Sequence, residues 1–330
     1  VDAARYSMAN PGPTQQLITA RNDGAGGLAN AFLVFDGLNG LTPGVMFSDN
    51  GAVVFYAPIR AEDAYALFKL ELDFSKETPA IRNPGSVVRT GQELPGGQKV
   101  RRILIADINA SGKTAFVADG FAKNNGENVV EQAPTLIVHD GPGRYERILG
   151  LSDRAPDGGS FGAAMGDVDI TDEDNLFIVS AFATESRDVE QGVFHLPGAS
   201  LSDARILAQS GQALRGTDSV NQSFGLIDAR DQGDYVLQSH IQDAGMLQAA
   251  PGTSQSILFQ GNASAPPGDG ALLSGQQLFG AGFEDAGTGE VLLGPRSGIS
   301  KTAAWVEHYG EATDTADQPQ ALFYRDGSQT

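Results

Sequence analysis

Apolar and polar residues alternate along this chain in short runs, and nearly every run ends in a turn rich in Gly, Pro, Asp or Asn. Residues 53–59 form one such run, entered from Asn50 and Gly51, and residues 65–72 form the next, ending at Asp73. Residues 86–89 and 102–106 follow. Period-two alternation over so few residues predicts half-buried β-strands. The same order continues at 114–118, 135–139, 145–149 and 163–165, then at 176–181, 192–196, 204–208 and 224–227. A further set falls at 235–240, 245–249, 256–259 and 278–282, and the last begins at 290–293. No long window carries a 3.6-residue apolar stripe, so no helix is expected beyond one turn at 60–65.

Two landmarks recur with these runs at a spacing of about 60 residues. The first is an irregular Gly/Pro turn, clearest at 89–97 and repeated at 152–159, 210–216 and 261–268, with a degenerate copy at 21–27. The second is a polar turn leading straight into a strand, at 49–55 and 109–116 and again from Asp169, Asp228 and Asp285. A unit repeated at this period cannot bury its apolar face alone and must stack on its neighbours. The expected fold is therefore all-β: a five-bladed β-propeller of four-stranded antiparallel blades, one domain over residues 1–330. Repeats are placed at 41–101, 102–162, 163–221, 222–275 and 276–330. The fifth copy carries an additional strand at 303–307 and another at 320–327, then stops one strand short. Residues 16–20 supply a spare strand at the other end, so the ring is expected to close with residues 1–40 completing the last blade. Residues 28–46 are longer than their counterparts, with room for one more element.

The turn Asn109-Ala110-Ser111-Gly112-Lys113-Thr114-Ala115-Phe116 resembles the repeat of a bacterial surface family of tandem-repeat β-propellers with an NxxGxxA motif. Residues 49–55 match it in part, and the third copy has Asp172-Glu173-Asp174-Asn175 where Gly is expected. The resemblance implies export and surface display and brings no catalytic residue. Residues 161–176, from Phe161-Gly162-Ala163 to Asp174-Asn175-Leu176, are similar to the FG-GAP blades of integrin-type propellers, which hold calcium in an Asp-rich hairpin loop.

Composition narrows the chemistry. The 41 acidic residues outnumber the 22 basic ones, giving a formal charge of −19 spread along the chain. That field repels nucleic acid and anionic lipid, so neither is expected as a partner. The scarcity of Lys among the basic residues suits a saline medium, where self-repulsion is screened. With no Cys there is no disulfide, Cys-ligated zinc or thiol catalysis. No apolar stretch is long enough to span a membrane as a helix. The start at Val1 is explained by signal-peptide removal or by a trimmed chain; the first is the expectation taken, with an extracellular or cell-surface location.

The candidate metal ligands are Asp167, Asp169, Asp172 and Asp174. Calcium takes roughly six to eight oxygens, which closely spaced carboxylates in a turn help to supply. The competing expectation is a solvated acidic turn. The Asx turns at Asp49, Asn109, Asp228 and Asp285 are explained by turn chemistry alone. His139, His195, His240 and His308 lack metal-ligand spacing, although His139 and His195 fall at equivalent strand ends of successive copies. No Gly-x-Ser-x-Gly elbow and no phosphate loop in strand-to-helix context occurs, and the single Trp, Trp305, reads as packing. These residues lead to a non-enzymatic binding or assembly module for a surface glycan or protein, with self-assembly as a further partner. A carbohydrate-active enzyme with carboxylates at the propeller axis and a structural subunit of a surface layer are the alternatives.

Overall fold

The structure, a computed structural model, describes residues 4–7, 15–22, 28–38, 45–48, 51–59, 64–73, 80–95, 97–124, 128–186, 188–213, 219–229, 231–243, 255–272, 298–299, 303–307 and 320–324. The expected strands at 245–249, 278–282 and 290–293, the turn residues Asp49 and Asp285, and His308 lie outside them.

The chain is all-β, of β-propeller construction. Among the described residues it forms six antiparallel sheets, each from consecutive strands. The first contains β1 (Ala4–Ser7), β2 (Gln15–Asn22) and β3 (Leu28–Leu38). The second contains β4 (Val45–Phe47), β5 (Ala52–Ile59), β6 (Ala64–Asp73) and β7 (Ala80–Arg89). The third contains β8 (Lys99–Ile108), β9 (Thr114–Asn124), β10 (Asn128–His139) and β11 (Tyr145–Gly150). The fourth contains β12 (Ser160–Ile170), β13 (Leu176–Ala183), β14 (Val189–Leu196) and β15 (Arg205–Gln209). The fifth contains β16 (Ser219–Ala229), β17 (Asp234–Asp243), β18 (Gln255–Asn262) and β19 (Gly270–Leu272). The sixth contains β20 (Gly298–Ile299), β21 (Ala303–Glu307) and β22 (Gln320–Tyr324). Helical structure among the described residues is limited to short 3-10 turns such as Pro197–Ala199 and Leu201–Asp203.

Among the described residues four sheets have four strands and two have three, where five four-stranded blades were expected. Residues 102–106, expected as the fourth strand after 86–89, instead open the third sheet as part of β8, inside the repeat placed at 102–162. The reason is that the polar landmark is a hairpin turn inside a sheet, joining Ile108 to its partner Thr114, whereas the Gly/Pro landmark carries the chain from one sheet to the next. Finally, residues 16–20 do not complete the last sheet. They lie in β2, flanked on one side by β1 and on the other by β3, and β22 pairs with β21. The additional element suspected in residues 28–46 is β3, and a hairpin partner a short connection away costs less closure entropy than an exchange across the whole chain.

The chain divides into two compact units, one of Val1–Asp153 with Val168–Asp174, the other of Arg154–Asp167 with Asn175–Thr330. Each has its own core. In the first, Val54, Leu67, Val88, Leu94, Ile103, Ile108, Phe116 and Ile137 pack together. In the second, Phe177, Val179, Val193, Phe224, Leu237 and Phe259 do so. Among the described residues no helix is long and apolar enough to cross a membrane.

Candidate functional site

The hairpin turns of the second and third copies share one backbone shape. Gly112 N donates to the Asn109 carbonyl at 2.9 Å and Asn109 N to that of Lys113 at 3.1 Å. Asp174 N donates to the Thr171 carbonyl at 3.0 Å in the same way. The fourth turn residue has positive φ in both, +81° at Gly112 and +65° at Asp174. A type I turn followed by a left-handed residue closes such hairpins, and Asp is among the few non-glycine residues that accept that conformation.

The two turns also meet within the first unit. Asn109, fully buried, donates through Nδ2 to the Thr171 carbonyl and to Asp174 Oδ1, both at 3.0 Å. Its Oδ1 accepts from Lys113 N at 2.9 Å and Ser111 Oγ at 2.7 Å. Lys113 Nζ reaches Asp174 Oδ2 at 2.6 Å, and Ala110 N donates to Asp172 Oδ1 at 2.5 Å. Beneath them, Asp107 Oδ2 accepts from Ile170 N at 2.8 Å. The expected calcium ligands are thereby dispersed. Asp172 and Asp174 bind the neighbouring turn. Asp169 is buried in β12, and Asp167, in the second unit, accepts from Ile227 N at 2.8 Å. Among the described residues no three His, Asp or Glu side chains converge to hold a metal ion. Asp228 sits inside β16 and not in a turn, buried like Asp107 and Asp169. Sequence reading passed over Asp107, although a carboxylate one residue before the end of an apolar strand is a signal in itself.

His139 and His195 are not equivalent. His139 pairs with Thr114, the first residue of its neighbouring strand, and His195 with Phe177, the second. A one-residue difference of register sends the rings to opposite faces. His139 packs on Tyr145 at 5.0 Å between centroids and His195 stacks on Phe177 at 4.6 Å. Burial pulls both imidazoles below their ordinary pKa, helped by Lys69 and Arg144 at His139 and by Arg205 at His195.

The second unit offers a groove of about 390 Å³, within the size range of small-ligand sites. Two Gly/Pro landmarks line it, through Pro156 and Asp157 from one and Ala263, Ala265 and Pro267 from the other, together with Ala204 and with Arg205 and Ile206 at the start of β15. The first loop is held by Gly158 N on the Ala155 carbonyl and Ala155 N on that of Gly159, both at 3.0 Å. Asn262 holds the second, donating to Asp234 Oδ1 at 2.6 Å and accepting from Ser264 N at 2.9 Å, while Gly268 N ties it to the Leu207 carbonyl of β15 at 2.7 Å. Arg205 and Asp157 bring one cation and one acid to a lining otherwise of Pro, Ala and Ile, an arrangement suited to a ligand with strongly polar groups on an apolar body.

Meandering four-stranded sheets of this kind, one per repeat, define a β-propeller protein. No protein-family model matches the chain, and no curated protein matches it either. Three solved structures are similar to it. A protein of unknown function from Dyadobacter fermentans is 12% identical at a TM-score of 0.31, over 66% of this chain and 64% of that one. The gluconolactonase XC5397 of Xanthomonas campestris is 12% identical at 0.41, over 94% and 79%. The Hadza microbial sialidase Hz136 is 10% identical at 0.33, over 76% and 52%. The chain thus spans less than two thirds of the first and third of these proteins. At these identities no activity passes from them to this chain.

Proposed function

We propose that this protein is a non-enzymatic binding module of the β-propeller class, taking a surface glycan or protein ligand in the groove around Arg205. The observation that carries the reading is the groove itself: two copies of one repeated loop line it together with Arg205. Loops are where a rigid sheet scaffold places its recognition residues, and here their backbones are held by hydrogen bonds before any ligand arrives. Export and display at the cell surface, implied by the NxxGxxA resemblance, belong to the same reading. So does the finer architecture, in which the four complete sheets are full blades and the two three-stranded sheets are shorter ones.

The test is a glycan and peptide panel probed with the whole chain and with Arg205→Ala. Saturable binding without product, weakened at least about tenfold in the variant, supports the proposal. Product release from a polysaccharide that disappears in Asp169→Asn would replace it with the carbohydrate-active enzyme reading.

A further inference from the structure

The groove around Arg205 carries two opposite charges that do not meet. Arg205 and Asp157 both line it and both are exposed, yet among the described residues neither takes part in an ion pair. Asp157 is fixed by its own loop, Oδ1 accepting from Gly159 N at 3.0 Å, and the other carboxylate oxygen has no hydrogen bond. Arg205 stands on a paired strand, opposite His195, and its guanidinium has no hydrogen bond. Two charges free to collapse onto each other are thus held apart across a lining of Pro, Ala and Ile.

The charges around them sharpen the contrast. Glu185 stands against Gly158, the residue after Asp157, where a Cβ would collide with its Oε1, so that end of the groove is acidic twice over. Arg154, in the same loop, does not line the groove and pairs with neither acid. Asp203, two residues before Arg205, accepts from Ser200 Oγ and Ser202 Oγ, both at 3.1 Å. Phe177, His195 and Arg205 face one another in turn across β13, β14 and β15. Directly opposed residues share a face, so the three form one row with the guanidinium at its end. His195 stacks on Phe177, and neither of its ring nitrogens has a hydrogen-bond partner.

We propose that the groove binds a short apolar peptide by its two free ends, the C-terminal carboxylate on Arg205 and the N-terminal ammonium on Asp157, with its side chains against Pro156, Ile206 and Pro267. The proposal rests on the groove reading above and commits the groove to a peptide in place of a glycan. A guanidinium matches a carboxylate with two parallel donors, and an ammonium donates to a carboxylate through a charge-assisted bond. The cavity of about 390 Å³ is near the lower end of the range for small-molecule sites, which suits two or three residues. Charge selects among the occupants. A polyanionic glycan meets the field of a chain with formal charge −19, and a neutral sugar leaves both groove charges without a counter-ion. A zwitterion brings no net charge and answers both.

The experiment titrates the whole chain with leucyl-leucine, with its C-terminal amide and with its N-acetyl form, followed by calorimetry and by NMR of the His195 ring. Leucyl-leucine is expected to saturate, with each blocked form at least about tenfold weaker. Arg205→Gln should weaken the dipeptide about tenfold, and so should Asp157→Asn, which keeps the acceptor for Gly159 N and decides the matter if the first variant fails to fold. Burial, and after it the charge of Arg205, hold the His195 pKa down. A carboxylate on Arg205 offsets that charge, so saturating dipeptide should raise the pH at which the ring titrates, and the amide should not. Absence of saturation at about 20 mM overturns the proposal, as does equal binding of either blocked form or unchanged binding in both variants. A glycan that binds through Arg205 where the dipeptide does not overturns the peptide and leaves the groove reading standing. If no ligand depends on Arg205, both fall.

Discussion

The turns at 109–113 and 171–175 solve one backbone problem with different chemistry. Both need a left-handed residue at the fourth position. The first uses Gly112, which has no Cβ to clash, and the second uses Asp174. Glycine answers only the local requirement. Aspartate accepts some strain and in return receives Asn109 and Lys113 from the first turn. Departure from the repeat motif in the third copy therefore marks the place where one turn grips another. The Asn of the motif has two roles: its Oδ1 shapes its own turn, and its Nδ2 holds the next copy.

This contrast breaks most visibly at Asn109. Asn109→Ala removes four hydrogen bonds of a fully buried side chain and is expected to cost about 3 kcal/mol of unfolding free energy. A loss in urea denaturation no larger than that of an exposed-site control would mean that the two turns do not grip. Gly112→Ala places a side chain at φ +81° and against Lys69 Nζ, which donates to the Gly112 carbonyl at 2.6 Å. The expected cost is about 1–3 kcal/mol. Asp172→Asn, at an exposed residue, keeps an acceptor for Ala110 N and should cost less than about 1 kcal/mol. Asp174→Gly is the most discriminating of the set, because relief of backbone strain opposes the loss of the Lys113 ion pair. The net change should fall within about 1 kcal/mol of zero. A loss comparable to that of Asn109→Ala would show that the carboxylate matters and the backbone conformation does not.

The same two copies differ at their histidines, and pH reads that difference. Burial holds both imidazoles below their unfolded pKa of 6.5, so the folded chain binds fewer protons than the unfolded one. Stability is then retained above that pH and lost as pH falls through it. Replacing His139 or His195 with Gln should flatten the fall of the thermal midpoint between about pH 7 and 5. Unchanged slopes in both variants would exclude the rings as the source.

Alternation located most strands to within a few residues, since residues 65–72 lie in β6 and 176–181 in β13. The period of the repeat was legible, but which strand follows the Gly/Pro turn into the next sheet was not, since 102–106 was grouped with 86–89. Hairpin turns and inter-sheet loops draw on the same Gly and Asx chemistry, so composition does not say which of them begins a blade. The Asp-rich turn stood out by charge, but its partner Asn109 lies more than sixty residues away in sequence, and no local pattern records that pairing. Strand β8 holds Arg101 as an extra residue between the pairs Val100–Gly120 and Arg102–Asp119, and this bulge did leave a trace: Arg101-Arg102-Ile103-Leu104-Ile105 fails to alternate. Read as a regular strand, it gave no reason to place two successive arginines on one acid, Asp119. The groove depends on two loops about a hundred residues apart and is visible only in three dimensions.

The bulge in β8 has a consequence for how this chain tolerates changes of length. Strand pairing ordinarily forbids the loss of a single residue, since every side chain beyond the gap would turn from the core to the solvent. Between Val100 and Arg102 the strand already holds one residue that its partner does not match, and between Ile103 and Ile105 it holds another. Deleting Arg101 or Leu104 would leave the flanking pairs facing as before. At these two points a strand that is otherwise locked in length can shorten by one residue and keep its core, so the repeat can drift in size here without first coming apart.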